Sequence, residues 1–151
     1  MILGDLDQFK EVNDSQGHAA GDAALTDVAY LLRKRLRAFD LAYRIGGEEF
    51  LILLPGANLG EARIMAEQLR SAVAADSVGD GTALTISFGV SASNRRERFD
   101  YDAVFAAADS ALYKAKSEGR NAVREGRAGI SSAATPSATM QAASAATRTA
   151  S

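Results

Sequence analysis

The sequence of 151 residues contains no cysteine, no tryptophan and only two prolines. Because thiols are absent, the chain can form no disulfide, no thiolate metal site and no cysteine nucleophile, which fits a reducing compartment. No purely apolar run, Phe50–Leu54 included, exceeds six residues, far fewer than the ~20 that a membrane-spanning helix needs. No basic stretch followed by a long apolar run opens the sequence. We therefore expect a cytoplasmic protein with no signal peptide and no membrane contact from this chain.

An excess of basic charge is absent as well. The 17 Lys and Arg residues stand against 19 Asp and Glu, and the last 26 positions hold two arginines and no acid, which leaves residues 1–125 with a net charge of −4. This balance argues against a nucleic-acid-binding surface. Near Gly126 the composition shifts to Ala, Ser, Thr and Gly. We therefore expect a folded domain over residues 1–125 and a disordered tail over residues 126–151.

Hydrophobic periodicity divides the folded part into strands and helices. Helical spacing occurs in Gly21–Arg37, Ala62–Val73 and Val104–Ala115, whereas Met1–Leu6, Leu41–Ile45, Glu49–Leu54 and Leu84–Ser91 have patterns typical of strands. A further short strand is expected at Asn121–Arg124. This order predicts an α+β fold with a ferredoxin-like βαββαβ core, an antiparallel sheet with helices packed on one face.

The predicted topology brings two acidic residues together. In a βαββαβ sheet the first and third strands are antiparallel neighbours, so Asp5 near the end of the first strand should meet Glu48 before the third. Carboxylates at close range repel each other and usually need a cation between them. An isolated acid at a strand end is more often simply solvated, but the pairing of these two favours a metal site.

Two glycines, Gly46 and Gly47, separate the second and third strands. This pair predicts a two-residue hairpin of type I′, a turn that needs positive φ at both positions. The turn preference alone is enough to explain the glycines. A loop tip without side chains would also let a ligand approach the backbone closely. Their position directly before Glu48 and Glu49 favours this second interpretation.

Three motifs together carry a resemblance to a known family. They are DLDQFKEVND at Asp5–Asp14, GHAAGD at Gly17–Asp22 and GGEEF at Gly46–Phe50. In this order and at this spacing they resemble the GGDEF family of diguanylate cyclases, in the GGEEF variant, over about residues 1–125. The resemblance implies condensation of two GTP into cyclic di-GMP with release of two pyrophosphates. It also implies a fold related to the palm of nucleotide cyclases and polymerases.

The resemblance assigns a metal and catalytic role to the carboxylates. It implies that Asp5, Glu48 and the backbone carbonyl of Leu6 bind Mg²⁺ or Mn²⁺, two ions per active site. Such hard cations prefer oxygen ligands, with phosphate oxygens and water completing the shell. The resemblance also makes Glu48 and Glu49 the catalytic carboxylates. Glu49 would act near the reacting 3′-hydroxyl, either as a metal ligand or as a base.

The GTP contacts implied by the resemblance come from several parts of the chain. Asn13 and Asp22 would bind the guanine base, which presents donors that adenine lacks, and His18 would brace the loop near the base. The remaining contacts are the glycines of the loop tip and the phosphate-binding residues: Gly46, Gly47, Phe9, Lys10, Lys116 and Arg120. Each side chain also has a structural interpretation, as a turn residue, a charge near a helix start or a complement to a helix C-terminal dipole.

A regulatory motif and the assembly complete the implied function. Arg37 and Asp40 form an RxxD sequence five residues before Gly46, where the family binds its cyclic di-GMP product as an inhibitor. Some members add an arginine from the next helix, where this chain has Gln68. Since each domain holds one GTP, a homodimer is needed for catalysis. We expect a weak one here, because the family's upstream helix and dimerisation module are missing, and we expect an exposed apolar patch for the same reason. The alternative is a catalytically silent domain that binds GTP or cyclic di-GMP as an interaction module.

Overall fold

The computed structural model describes residues 1–78, 82–93 and 99–128. Four helices and seven strands follow in the order β1 Ile2–Asp7, α1 Phe9–Gln16, α2 His18–Arg35, β2 Leu41–Arg44, β3 Glu49–Leu53, α3 Leu59–Ala75, β4 Ser77–Val78, β5 Thr82–Ala83, β6 Thr85–Ala92, α4 Tyr101–Ser117 and β7 Val123–Arg127. The predicted α+β class is confirmed, and the predicted strands and helices occur in the predicted order, with α1, β4 and β5 in addition. The tail beyond residue 128 lies outside the described residues, and β7 continues two residues past the boundary predicted at residue 125.

The main sheet has five strands in the order β2-β3-β1-β6-β7. β1 is its central strand and pairs antiparallel with β3 and with β6, as the βαββαβ pattern predicts. The pair of β6 with β7 is parallel, so the sheet is antiparallel except at this edge. β4 and β5 form a separate two-stranded ribbon.

Helices cover both faces of the sheet, and the prediction that they lie on one face is wrong. On one face, Ile2, Ile52 and Phe88 of the sheet belong to a core shared with α1, α2 and α3. On the other face, Leu3 and Leu51 pack with apolar residues of α4. Because side chains alternate along a strand, neighbouring residues of β1 lie in different cores.

The second face was misjudged because β6 presents small and polar residues there. Ser87 and Ser91 are fully buried beneath α4 although their alternation with apolar residues predicts a solvent-facing side. The glycine between them, Gly89, allows α4 to lie directly on the strand: a Cβ at this position would collide with the backbone of Ala108 and Leu112. Gly126 of β7 is equally close to Ala107.

Helix α1 was not predicted. Only Phe9 and Val12 of its eight residues are buried, so its apolar pattern is too short to reveal a period. Gly17, with φ 85°, ends α1 and precedes α2, which begins at His18 rather than at the predicted Gly21. His18 therefore lies in a helix and not in a loop, and Asn13, for which a turn was the structural alternative to base binding, also lies within a helix.

The hairpin between β2 and β3 exists, but its predicted type is wrong. The loop spans the four residues 45–48, and the N–H of Ile45 donates to the carbonyl of Glu49 at 3.0 Å. Neither Gly46 nor Gly47 has a positive φ, so the turn is not type I′. A left-handed backbone conformation therefore does not explain why glycine occurs at these two positions.

Edge strand β2 carries exposed apolar side chains. Leu41, Tyr43 and Ile45 are all exposed, and Tyr43 lies opposite Leu51, a residue of the α4 face. This surface agrees with the exposed apolar patch expected from the sequence. Within the described residues, no helix combines the length and the apolar character that crossing a bilayer would require.

The close contact of α4 with β6 predicts a large effect of a small substitution. Gly89→Ala should lower the free energy of unfolding by about 1–3 kcal/mol or more, because the added methyl meets backbone that cannot move aside. Gly60→Ala is the matched control, since Gly60 is exposed in α3 and its Cβ would have only an ordinary contact at 3.4 Å. That substitution should stabilise by about 0.5–1 kcal/mol. Urea unfolding of both variants measures the difference, and equal effects would contradict the packing described.

Candidate active site

Pairing of β1 with β3 brings the predicted carboxylates to one end of the sheet. Asp5 lies opposite Glu49 in the register, and the N–H of Leu6 donates to the carbonyl of Glu48 at 3.2 Å. Asp5 is buried, whereas Glu48 and Glu49 are half-buried. In an antiparallel ladder the N–H and C=O of one residue point to the same neighbour, so the Leu6 carbonyl also faces the loop that carries Glu48.

Lys116 of α4 contacts the carboxylate of Asp5. Its Nζ lies 2.8 Å from Oδ1 of Asp5 as an ion pair. That oxygen is buried and accepts no hydrogen bond of regular geometry. Burial raises the pKa of Asp5, and the Lys116 ammonium opposes that rise. The negative charge of Asp7 raises this pKa further, and Arg120 opposes the rise less than Lys116 does. Asp5 is therefore a carboxylate that the protein buries without fully satisfying it.

Glu49 lies in the same acidic surroundings. Burial raises its pKa, and the negative charges of Asp5, Glu48 and Asp109 raise it further against the effect of Lys116. Burial also raises the pKa of Asp109, which lies on α4. The sequence analysis missed Asp109, although its position seven residues before Lys116 was a usable signal, because two helical turns bring both to the same side of α4.

This group of oxygen donors fits a hard divalent cation. Mg²⁺ and Mn²⁺ prefer carboxylate and carbonyl oxygens, and Asp5 supplies a buried oxygen whose partner in the structure is the Lys116 ammonium. In the described parts of the chain, no three acidic, histidine or cysteine side chains already form a cage for a metal ion. The donors therefore suit a cation that takes its remaining ligands from a bound substrate and water.

The loop before Glu49 is shaped around that side chain. A Cβ on Gly46 would collide with Oε2 of Glu49, whereas a Cβ on Gly47 would meet nothing within 4 Å. Nε of Arg44 donates to the Gly47 carbonyl at 2.8 Å and to the Gly46 carbonyl at 3.3 Å. Gly46 thus makes room for the Glu49 carboxylate, and Gly47 leaves its backbone open to an approaching ligand.

Helices α1 and α2 bring the predicted base-binding residues together. The amide of Asn13 occupies the space that a Cβ on Gly21 would need, so Asn13 lies beside the residue that precedes Asp22. Asp22 and His18 are exposed on the first two turns of α2. The structure therefore groups these three polar residues on one surface of the helix pair.

The predicted phosphate contacts lie at the start of α1 and the end of α4. Phe9 is buried and Lys10 exposed at the start of α1, where the first N–H groups have no acceptor within the helix. After α4, the N–H of Arg120 donates to the carbonyl of Ala115 at 3.0 Å, a bond that closes the helix end. Arg120 is exposed, so one predicted basic residue, Lys116, lies in the last turn of α4 and the other lies in the turn that follows this helix.

The sequence analysis did not select Asp7. This residue is 3% exposed, and Oδ2 of its carboxylate accepts the N–H of Asn121 at 2.9 Å. The bond brings the end of β1 next to the turn after α4, and therefore brings the start of α1 close to Arg120. The sequence did contain an indication of Asp7: it lies two residues after Asp5, and this spacing puts both acids on one face of β1.

Arg37 and Asp40 form a compact turn at the opposite end of β2 from the Gly46-Gly47 loop. Asp40 is buried, and its Oδ2 accepts the N–H of Arg37 at 2.8 Å. Nη1 of Arg33 donates to the carbonyls of Arg37 and Asp40 at 3.3 and 3.4 Å. The Arg37 side chain is exposed, and Gln68 lines a separate groove on α3. The RxxD residues are thus remote from Asp5 and Glu48.

A family model agrees with this geometry. The model described as diguanylate cyclase, GGDEF domain, matches residues 1–122. The chain belongs to the GGDEF family. The diguanylate cyclase DgcP of Pseudomonas aeruginosa is 46% identical over 120 residues, which cover 78% of this chain and 18% of DgcP. The GGDEF domain thus spans less than a fifth of that relative's length.

Solved structures share the fold of this GGDEF domain. The active GGEEF domain of a diguanylate cyclase from Vibrio cholerae superposes with a TM-score of 0.78 at 34% identity, covering 83% of this chain and 81% of that one. The GGDEF domain of DgcB from Caulobacter crescentus, solved in complex with c-di-GMP, gives a TM-score of 0.75 at 30% identity, with coverages of 82% and 75%. The palm-like cyclase fold implied by the motifs is therefore confirmed.

The raised pKa of Glu49 predicts a pH-dependent gain in stability when its charge is removed. Because burial and neighbouring acids raise this pKa, folding favours the protonated carboxyl. The favourable contribution is complete below the ordinary glutamate pKa of about 4.3 and is lost as the pH rises through the folded-state pKa. Glu49→Gln should therefore melt at a higher temperature than the parent at pH 7, in metal-free buffer. The difference should disappear below about pH 4. Thermal melts from pH 3 to 8 test this, and a parent more stable than Glu49→Gln at pH 7 would contradict it.

Proposed function

We propose that this GGDEF domain condenses two molecules of GTP into cyclic di-GMP with release of two pyrophosphates. The observation that carries the proposal is the meeting of Asp5, Glu48 and Glu49 beside Lys116 at one end of the sheet. Acidic groups and a cationic side chain at one point suit a triphosphate that arrives with divalent cations. The family model that matches the chain is described as diguanylate cyclase, GGDEF domain, which supports this reaction.

The reaction needs a proton acceptor and stabilisation of negative charge. In each half-reaction the 3′-hydroxyl of one GTP attacks the α-phosphorus of the other, a P–O bond forms, and the bond to the pyrophosphate breaks. Glu49 is suited to accept the hydroxyl proton, because its raised pKa makes it a stronger base than an ordinary glutamate. Asp5, Glu48 and the Leu6 carbonyl would hold two Mg²⁺ or Mn²⁺ ions. When bound, these cations neutralise triphosphate charge and polarise the α-phosphate.

Basic groups on two elements are available for the terminal phosphates. Lys116 contacts Asp5 in the structure, and a cation at Asp5 would free its ammonium to bind phosphate. Arg120 follows one turn later, and Phe9 and Lys10 contribute N–H donors and a positive charge at the start of α1. These groups stabilise the charge of the departing pyrophosphate.

Selection of guanine would come from the surface shared by α1 and α2. Asp22 can accept hydrogen bonds from N1–H and the exocyclic amine of guanine, and Asn13 can bond both donor and acceptor edges of the base. Adenine offers no such pair of donors, so GTP is favoured over ATP. His18 supports this surface, and the open backbone at Gly47, next to Gly46, leaves room for the nucleotide.

Product inhibition would use the turn of Arg37 and Asp40. The exposed guanidinium of Arg37 is free to bind a phosphate of cyclic di-GMP, and the complex of DgcB with c-di-GMP supports product binding by this fold. One oxygen of Asp40 already accepts the N–H of Arg37, and Gln68 replaces a second arginine. We therefore propose that the product inhibits this domain weakly.

Removing Glu48 tests the catalytic assignment. Glu48→Ala should lower cyclic di-GMP formation from GTP and Mg²⁺ by about 100-fold or more, because a cation ligand is lost. The melting temperature should stay within about 2 °C of the parent, since Glu48 is half-buried and no packing is removed. Chromatographic separation of GTP, pyrophosphate and cyclic di-GMP gives the rates.

Glu125→Ala is the matched control for Glu48→Ala. Glu125 pairs with Arg63 on the exposed surface of β7, and such pairs contribute little to stability. Its removal lowers the acidic charge equally and should leave the rate unchanged. Wild-type turnover by Glu48→Ala would contradict the assignment, and a parent that binds GTP without turnover would favour the silent interaction module.

A homodimer is required because one domain holds one GTP and cannot close the ring alone. At protein concentrations below the dimer dissociation constant, the specific activity should rise nearly in proportion to concentration. A coiled coil fused before Met1 should raise it strongly by increasing the effective concentration of the second site. The fusion is compatible with the fold, because the Met1 nitrogen donates to the Ser91 carbonyl at 2.8 Å and an amide retains this donor. Constant specific activity over a hundredfold dilution, with a monomeric mass, would contradict the two-domain mechanism.

A further inference from the structure

Asp7 and Asp5 lie on the same face of β1 but have opposite surroundings. The Asp7 carboxylate accepts three hydrogen bonds: from Oγ of Ser87 to Oδ1 at 2.7 Å, from Oγ1 of Thr85 to Oδ2 at 2.7 Å, and from the N–H of Asn121 to Oδ2 at 2.9 Å. The Asp5 carboxylate has the Lys116 ion pair at 2.8 Å and no hydrogen bond of regular geometry to its buried Oδ1. Of the two acids, Asp7 therefore has the more complete set of hydrogen bonds within the protein.

The turn that Asp7 binds has an unusual backbone. Gly119, Arg120 and Asn121 have φ values of 118°, 63° and 43°, so three successive residues have positive φ and two of them are not glycine. Among residues with a Cβ, asparagine adopts this conformation fairly readily but arginine rarely does, so the strain falls on Arg120. The turn therefore depends on external anchors.

Two side chains supply those anchors. Asp7 accepts the backbone N–H of Asn121, and Nη1 of Arg70 donates to the Asn121 side-chain oxygen at 2.7 Å. On the other side, the N–H of Arg120 bonds to the carbonyl of Ala115 in α4. The backbone of Arg120 is thus fixed between the end of α4 and the Asp7 carboxylate.

We propose that Asp7 is a positioning residue, whose buried carboxylate holds the Gly119–Asn121 turn so that Arg120 extends toward the triphosphate of bound GTP. This inference rests on the proposed function, since it concerns the same site. It separates the roles of two acids in one strand: Asp5 is available for a cation, and Asp7 orients a phosphate-binding arginine without touching substrate.

Nucleotide binding by Asp7 variants tests the proposal. The probe is a GTP analogue with a methylene group between the α and β phosphates, which cannot release pyrophosphate, and it is compared with GMP by calorimetry. Asp7→Ala should weaken binding of the analogue by about 10- to 100-fold, the range expected for a lost hydrogen bond to a charged group. Binding of GMP, which lacks the terminal phosphates, should change less than about twofold.

Asp7→Asn distinguishes positioning from metal binding. Its amide oxygen can still accept the Asn121 N–H, and the hydroxyl of Ser87 can rotate to accept from the amide nitrogen. This variant should therefore bind the analogue nearly as the parent does. An Asp7→Asn variant as defective as Asp7→Ala, with binding restored by higher Mg²⁺, would instead identify a metal ligand and overturn the proposal.

Coupling to Arg120 provides the second criterion. If Asp7 acts through Arg120, adding Asp7→Ala to Arg120→Ala should lower the affinity for the analogue by less than about a further twofold. A double variant whose loss of affinity equals the product of the two single losses would overturn the proposal. Ser91→Ala is the control for a lost buried hydroxyl bond, because Ser91 of β6 donates to the Val104 carbonyl at 2.6 Å, far from the turn. Ser91→Ala should lower the stability of the fold without lowering the affinity for the analogue.

Amide hydrogen exchange at Asn121 separates this inference from the proposed function. The exchange should be slow in the parent and in Asp7→Asn and at least about tenfold faster in Asp7→Ala, because the Asn121 N–H loses its acceptor. If the parent failed to bind the analogue, the proposed function would be wrong, and slow parent exchange accelerated in Asp7→Ala would still support Asp7 as the anchor of the turn. Equal exchange in all three proteins would overturn that anchor.

Discussion

The close contact of α4 with the sheet is the constraint on which the site depends. Lys116 can reach Asp5 only if the helix axis lies near the strands, and the absence of side chains at Gly89 and Gly126 permits that distance. Larger residues at these two positions would move α4 away from the sheet, and Lys116 and Arg120 would move with it. The hydroxyl of buried Ser87 donates a hydrogen bond to Asp7, so a polar residue beneath α4 also helps to hold the site together. The packing of this face and the chemistry of the site therefore share the same residues.

Several carboxylates lie together in a partly buried place, where their negative charges lower the stability of the fold. Burial raises the pKa of Asp5, Glu49 and Asp109, which means that the folded protein holds these charges at a cost. Lys116 offsets part of that cost at Asp5. A cation would offset more, so ligand binding and folding are coupled at this end of the sheet. Acidic groups kept under such conditions lower the stability of the fold, which agrees with the catalytic role proposed for them.

The sequence analysis succeeded where a pattern extends over many residues. Alternation and helical spacing located β1, β3, β6, α3 and α4, and strand order alone brought Asp5 next to Glu48. It failed where tertiary contacts decide. Helix α1 buries only Phe9 and Val12, and the small residues of β6 mimic a solvent-facing side until α4 covers them. The role of Gly46 depends on the Glu49 carboxylate beside it, a contact that turn statistics do not contain. Asp7 was missed because its three donors come from positions 85, 87 and 121.

Strand β1 joins Met1 to the carboxylates over a short and rigid path. The four residue steps from Met1 to Asp5 span about 14 Å, and β1 is hydrogen-bonded to a neighbour on each side. A slide of one residue would exchange Leu3 and Asp5 for Gly4 and Leu6 on the α4 face, so the strand cannot shift in register. A force applied at Met1 would therefore pass along β1 to the whole sheet. In the proposed dimer, control from that end would act through the orientation of one domain toward the other.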